Sequence, residues 1–186
     1  MGLNAATTRQ YLTMKFLQKI LPIILLIPIL CNGQETQLKG DNIKITLGGD
    51  TTLELSREKF NPKKHKIEYK DTHIVSIDNI PIFGSDTEVP KYILSKAVLK
   101  KGNKIYNLQI DNMYNPWLDA VADEKLYEII CGNEGACIVK ARFSEGEGKY
   151  AAEWLIDGNA SIRDMITKDA VIIQSYFEYS NGVTNE

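Results

Sequence analysis

The sequence predicts a mainly β fold, built as an antiparallel sandwich or a strongly bent sheet with one or two short helices. Three observations support this prediction. Apolar and polar residues alternate over several short runs, breaks rich in glycine or asparagine separate those runs, and two cysteines flank one of the breaks. An α+β roll is the alternative, if the run at residues 92–101 (YILSKAVLKK) is helical.

Residues 1–33 have the parts of a cleavable export signal. A basic pair, Lys15 and Lys19, precedes an apolar run at residues 20–30, which contains two prolines and is too short to span a membrane as a helix. Cleavage at the end of this segment would leave residues 34–186 as a single β-rich domain of ordinary size.

Two alternatives for this segment remain open. Translation from Met14 instead of Met1 would give a more compact signal. Cys31 could instead be the acylated residue of a lipoprotein, although Ile29 and Leu30 before it are bulkier than a lipoprotein signal prefers. We therefore expect a periplasmic or secreted protein, with membrane attachment only through lipidation of Cys31 or an uncleaved signal.

The charge balance argues against a general affinity for nucleic acid. The chain has 22 basic and 24 acidic side chains, and three of the basic residues and none of the acidic ones fall in residues 1–33. The remainder therefore has 19 basic and 24 acidic side chains, a net charge of −5 with histidine neutral. Because such a domain is repelled by phosphate backbones and anionic lipid, we expect a protein or carbohydrate partner, no nucleic acid and no cofactor.

A first hairpin is predicted near the start of the domain. Residues 43–47 and 53–55 alternate apolar and polar side chains around Gly48-Gly49-Asp50, where glycine supplies the positive φ of a tight turn. Two further strand-like runs, residues 92–100 and 104–110, keep the alternation less strictly. A β-bulge or an edge position would explain that lapse, and the sequence does not choose between them.

A second hairpin is predicted around Asp78-Asn79, between the runs HIVSID and IPIF. Simple alternation places Val75 and Ile77 on one face, toward the core. His73 falls on the same face of that run, so we expect a half-buried imidazole with a hydrogen-bond partner and not a catalytic base.

The segment CGNEGAC predicts a disulfide between Cys131 and Cys137, because two cysteines this close pair readily in an oxidising compartment. Five intervening residues are unlike a redox-active motif, and the two histidines lack metal-ligand spacing, so we expect a structural bridge. Placing the cysteines directly opposite each other pairs Glu128 with Lys140 on the other face of the hairpin. The apolar pairs of that register are Ile129 with Val139 and Tyr127 with Ala141.

Two short helices are expected. Asn115 before Pro116 is a typical N-cap followed by proline at the first helical position, which predicts a helix or turn to about Asp123. Near the C-terminus, DAVIIQSYFEYSN predicts a helix that begins at Thr167 or Asp169. An edge strand is the alternative there, because the segment is rich in β-branched and aromatic residues.

The sequence contains no nucleophile elbow, phosphate-binding loop or dinucleotide-binding motif. Tyr114 and Trp117 flank a proline turn and are candidates for a binding surface, together with Asp119 and Asp123. Carboxylates at that spacing are also the candidates for a hydrolase. Trp154 alternates with other apolar residues and is expected in the core. We expect neither a metal site nor a catalytic residue set.

These observations rank three functions. The favoured one is an exported, non-enzymatic binding domain of unknown ligand, which rests on the export signal, the acidic charge and the lack of catalytic motifs. The first alternative is an immunity protein that neutralises a toxin in the periplasm, since an acidic face can block a basic active-site cleft. The second alternative is a hydrolase using dispersed carboxylates.

Overall fold

The computed structural model describes four stretches of the chain, namely residues 36–116, 126–133, 135–144 and 146–178. All of them belong to one unit, Asn32–Glu186. They form three antiparallel sheets and one short helix, which confirms the mainly β fold and is consistent with a β sandwich. The predicted signal segment lies outside the described residues.

The described elements follow one another along the chain as hairpins and meanders. A five-stranded sheet has the order β1-β2-β3-β7-β8, a four-stranded sheet has the order β12-β11-β10-β9, and a small sheet has the order β4-β5-β6. Among the described residues, no helix has the length and apolar character needed to span a membrane. The bounds are β1 (Thr36–Lys39), β2 (Asn42–Gly48), β3 (Thr51–Lys59), β4 (Ile67–Lys70), β5 (His73–Ile77), β6 (Ile80–Pro81), β7 (Tyr92–Lys101), β8 (Lys104–Asn107), β9 (Tyr127–Cys131), β10 (Cys137–Phe143), β11 (Tyr150–Asp157), β12 (Ala160–Thr167) and α1 (Ala170–Glu178).

The main core lies between the inner faces of the two larger sheets. Leu53 and Leu99 enter it from the five-stranded sheet, Val139 and Trp154 enter it from the four-stranded sheet, and all four are fully buried. The indole Nε1 of Trp154 donates a hydrogen bond of 2.9 Å to the carbonyl oxygen of Gln109. Each buried side chain of this size contributes about 1.5–3 kcal/mol, so the inner faces are strongly constrained.

Two predicted hairpins are present with the expected pairing. Strands β2 and β3 form the hairpin around Gly48, with a register shift at that glycine. In the β9–β10 hairpin, Cys131 lies opposite Cys137 and Glu128 lies opposite Lys140, as predicted, and the two sulfur atoms are at disulfide bonding distance. The apolar face of this hairpin therefore points into the main core.

The irregular alternation of the 92–101 run is caused by a β-bulge. This run is strand β7 and not a helix, which removes the basis for the α+β roll. Leu94 and Ala97 are both buried although they are three residues apart. The ladder with β3 skips Ser95, which is therefore the extra residue of a β-bulge, and the following strand β8 is an edge strand.

The predicted face of β5 is wrong. Val75 is exposed, whereas Ile74 and Ile77 are buried. The ladder places Ser76 and Ile74 opposite consecutive residues of β4, so Val75 is the extra residue of a bulge and the inward positions are three residues apart. His73 is likewise exposed and not half-buried. Simple alternation failed here because it assumes an uninterrupted ladder.

The C-terminal helix is confirmed, and Asp169 is its N-cap. The Oδ1 atom of Asp169 accepts hydrogen bonds from the second and third N–H groups of α1, at 2.9 and 3.1 Å. Thr167, the other predicted start, is the last residue of β12. The short helix predicted for residues 116–123 lies outside the described residues, except for its first residue.

The small sheet has a second core of its own. Phe60, Ile77 and Tyr114 are among its buried residues. Gly84 approaches this core so closely that an added Cβ would lie 1.8 Å from the carbonyl oxygen of Tyr114, and its φ is +95°. Only glycine fits this position without a backbone shift.

Candidate binding surface

Four aliphatic side chains stand in one line across the outer face of the four-stranded sheet. The ladders place Ile130 opposite Ile138, Ile138 opposite Leu155, and Leu155 opposite Ile162. Directly opposed residues of antiparallel strands share a face, so these four form a continuous apolar row. At a strand spacing of about 4.8 Å, the row is about 14 Å long.

The apolar row is open to solvent. Ile162 is 60% exposed, Ile130 is 47% exposed and Leu155 is 41% exposed, whereas Ile138 is half-buried. The chain neighbours of Ile138 and Leu155 are buried in the main core, because successive side chains of a strand alternate between faces. Isolated exposed aliphatic residues are common in proteins, but a contiguous group of four is typical of an interaction site.

Carboxylates border the apolar row on several sides. Glu153 and Asp157 flank Leu155 along β11 and share its face. Glu128 of β9 and Asp164 of β12 also lie on this outer face, and we call these four carboxylates the acidic rim. Two basic residues of β10, Lys140 and Arg142, share the face, so the carboxylates outnumber the cations by four to two.

The edge strand β12 is held in place by contacts with the end of β8 and with the loop that follows it. The Oγ atom of Ser161 donates to the carbonyl oxygen of Asn107 at 2.8 Å, and Nη1 of Arg163 donates to that of Asp111 at 2.7 Å. Partial burial lowers the pKa of the Arg163 guanidinium, and the charge of Asp111 opposes that shift. Asp164, the residue after Arg163, has no partner on β11 and is the extra residue of a β-bulge in β12. These hydrogen bonds hold the strand that carries Ile162, one end of the apolar row.

The predicted binding surface around the proline turn is only partly described. Tyr114 is buried and packs edge-on against Phe60, with 5.4 Å between ring centroids. This side chain belongs to the core of the small sheet, and its burial raises the pKa of the hydroxyl. Trp117, Asp119 and Asp123 lie outside the described residues. The surface and the hydrolase assigned to those residues therefore stay predictions.

Each of the two histidines lies within hydrogen-bond distance of an aspartate from another segment of the chain. Nδ1 of His65 lies 2.7 Å from Oδ2 of Asp78, and Nδ1 of His73 lies 3.1 Å from Oδ2 of Asp86. The hydrogen bond from His65 holds the pKa of Asp78 below its usual value. Ser76, on the same strand as His73, donates its hydroxyl to a glutamate of β4 and not to either imidazole. Among the described residues, no group of three or more His, Cys, Asp or Glu side chains is placed to hold a metal ion.

Sequence reasoning missed the apolar row. The predicted register of the β9–β10 hairpin already implied that Ile130 and Ile138 are neighbours on the outer face. Leu155 and Ile162 join them only through the pairing of β10 with β11 and of β11 with β12. The sequence could have revealed the row if, for each turn, we had chosen the strand register that places outward-facing aliphatic residues opposite one another.

The apolar row and its acidic rim are therefore our candidate binding surface. Burial of the apolar row on binding would be favourable in free energy, and the charge of the rim would favour partners of opposite charge. No family model matches this chain, and no curated protein or solved structure matches it.

Proposed function

We propose that this protein is a non-enzymatic binding domain that works outside the cytoplasm and contacts a partner protein through the outer face of its four-stranded sheet. The observation that carries the proposal is the exposed apolar row. Removing aliphatic surface from water is the main favourable term in protein association. The disulfide and the export-signal pattern of the sequence support an oxidising compartment.

The acidic rim determines which kind of partner fits. Carboxylates outnumber cations by four to two on this face, and the two cations both belong to β10. A partner with an apolar centre and a basic border would be attracted by this charge and would pair with the rim on docking. A second copy of the chain would bring two faces of net negative charge together, so we assign the surface to a different, basic partner.

The size of the surface predicts a transient complex. The strands that carry it are up to eight residues long, or about 25 Å, and the apolar row is about 14 Å wide. The face thus covers roughly 350 Å², about half of the roughly 800 Å² per partner that is typical of stable interfaces. We expect micromolar affinity, with association that slows as salt screens the rim.

Neutralisation of a toxin is a more specific form of this function, and the acidic rim favours it. A toxin with a basic active-site cleft offers the border that the rim requires. In that case the bound partner would lose its activity, and variants that disrupt the apolar row would fail to protect. Direct assay of the captured partner with and without this protein tests this form.

The test compares two matched isoleucines on the two larger sheets. Ile162→Asp places a charge in the apolar row, whereas Ile105→Asp places the same charge on the outer face of the five-stranded sheet, where Ile105 is 66% exposed. A photoreactive residue is introduced at Leu155 in the full chain, and crosslinking is carried out in the envelope and secreted fractions of the source cell.

We expect one dominant crosslinked protein, with its yield reduced at least ten-fold by Ile162→Asp and unchanged by Ile105→Asp. The yield should also fall as salt rises from 50 to 500 mM. A yield that responds equally to both variants, or no crosslink at tens of micromolar protein, would overturn the proposal. Light scattering that shows a homodimer sensitive to Ile162→Asp would assign the surface to a second copy and would overturn the hetero-partner.

A further inference from the structure

The disulfide between β9 and β10 has a cationic neighbour from the opposite sheet. Nζ of Lys101, the last residue of β7, lies 2.9 Å from Sγ of Cys137 and 3.3 Å from Sγ of Cys131. Lys101 is 30 and 36 residues away from these cysteines in sequence, so only the packing of the two sheets brings them together. The ammonium group is therefore directed at the sulfur atoms.

The two cysteine residues differ in accessibility. Cys131 is exposed at the end of the edge strand β9, whereas Cys137 is buried and faces the main core. An external thiolate approaching from solvent therefore meets Cys131 first. Attack along the sulfur–sulfur axis at Cys131 makes Cys137 the sulfur that leaves.

The position of Lys101 favours that direction of cleavage. A neutral disulfide gains little from an adjacent ammonium, but a thiolate at the same place gains a close opposite charge. A cation near a cysteine lowers the pKa of its thiol, and a thiol with a lower pKa is the better leaving group. Lys101 thus stabilises the reduced form of the pair, and most strongly the Cys137 thiolate.

The hairpin does not depend on the bridge to stay paired. The ladder between β9 and β10 continues beyond the cysteines through four further residue pairs. The cysteines are only six residues apart, so the bridge closes a short loop and restricts the unfolded chain less than a disulfide across a long loop would. Breaking and remaking this disulfide therefore leaves its two sulfur atoms close together for re-oxidation.

We infer that the Cys131–Cys137 disulfide is a thiol–disulfide exchange site for an external dithiol, with Lys101 as the electrostatic partner of the leaving sulfur. A thiolate of the dithiol bonds to Sγ of Cys131, the protein disulfide breaks, and Cys137 takes the electron pair as a thiolate. The second thiol of the dithiol loses its proton and attacks its own mixed disulfide, which releases Cys131. The dithiol is oxidised to a disulfide, and the protein gains two electrons and two protons.

This inference is independent of the proposed binding function, and its test uses the full chain with dithiothreitol at pH 8. Lys101→Met removes the charge, Lys101→Arg retains it, and Lys44→Met removes an exposed lysine of β2 on the outer face of the five-stranded sheet. The reduced fraction is measured by alkylation and mass spectrometry, both over time and at equilibrium with oxidised dithiothreitol.

A cation that lowers a thiol pKa from about 8.5 to about 7.5 favours the reduced form about three-fold at pH 8. We therefore expect Lys101→Met to slow reduction about three-fold and to shift the equilibrium about three-fold toward the disulfide. Lys101→Arg and Lys44→Met should match the unsubstituted protein. Equal behaviour of Lys101→Met and Lys44→Met would overturn the inference. Faster reduction of Lys101→Met would do so as well, because it would indicate that the lysine only supports the local fold.

Discussion

The two larger sheets differ in how far they expose an outward-facing aliphatic side chain on an inner strand. Val98, on β7 of the five-stranded sheet, points outward and yet is only 6% exposed. Leu155, on β11 of the four-stranded sheet, also points outward and is 41% exposed. Both residues have buried neighbours on the inner face, so the difference arises from the side chains around them on the outer face.

An ion-pair cluster covers Val98. Glu54 lies directly opposite Val98 and binds Nζ of Lys100 at 2.6 Å and Nζ of Lys96 at 3.5 Å. These lysines stand two residues on either side of Val98, so their aliphatic stems cross it on the way to the shared carboxylate. Leu155 instead has Glu153 and Asp157 at the equivalent positions, and two carboxylates cannot close over it in this way. We infer from this comparison that the ion-pair cluster covers Val98 and that Leu155 stays open because it lacks such a cluster.

The largest expected effect on stability comes from the disulfide of the four-stranded sheet. Replacing both Cys131 and Cys137 by alanine should lower the free energy of unfolding by about 2 kcal/mol, because a disulfide across a loop this short restricts the unfolded chain by that amount. Urea unfolding at pH 7 measures the loss. The unsubstituted protein in excess reductant should show the same decrease. A decrease below about 0.5 kcal/mol would mean that the ladder alone sets the stability of the hairpin.

The next effect separates the covered aliphatic residue from the open one. Val98→Ala should lower the free energy of unfolding by about 1.5 kcal/mol, because it removes buried methyl groups beneath the lysine stems. Leu155→Ala should cost about 0.5 kcal/mol, although it removes a larger group, because much of that group is already in water. Thermal unfolding of the two variants measures the order. The reverse order would show that the ion-pair cluster does not cover Val98.

The smallest effect tests the ion pairs that form the cover. The hydrogen bond from Lys100 is the main cause that holds the pKa of Glu54 below its usual value of 4.5, and partial burial opposes it. A lowered pKa in the folded state means that this stabilisation is present above about pH 4.5 and is lost as pH falls through the lowered value.

Lys100→Met should therefore cost roughly 0.7 kcal/mol at pH 7, a modest value because the pair is partly exposed, and less as the pH approaches 3. Lys96→Met is the matched control, with a smaller expected cost because its contact with Glu54 is longer. Urea unfolding at pH 7 and at pH 3 measures both variants. A cost for Lys100→Met that does not change between these two pH values would contradict the assignment to Glu54.

Local patterns predicted much of the fold. Positions 43–47 and 53–55 paired as expected, and the register of the disulfide hairpin followed from its two cysteines. Asp169 caps the C-terminal helix as its position suggested. Each of these features depends on residues close in sequence, so local preferences decide them. The bulge at Val75 reversed a predicted face because the extra residue is a property of the paired strand and not of the run itself.

The candidate sites were less accessible to prediction. The apolar row takes one residue from each of four strands, so it exists only after three registers are fixed. Lys101 reaches the disulfide because β7 ends above β9 and β10, and nothing near CGNEGAC in the sequence marks that contact. The spacing of the cysteines predicted a structural bridge, whereas the charge beside them comes from the opposite sheet.

The bulge at Asp164 has a consequence for the behaviour of the protein at high concentration. An aliphatic surface beside a free strand edge invites other molecules to add strands and grow into filaments. On β12, the edge strand, the bulge interrupts the ladder beside the apolar row and presents a carboxylate in the gap. A neighbouring molecule therefore cannot extend the sheet along the full length of this edge. The bulge therefore disfavours growth by strand addition at β12, the edge next to Ile162.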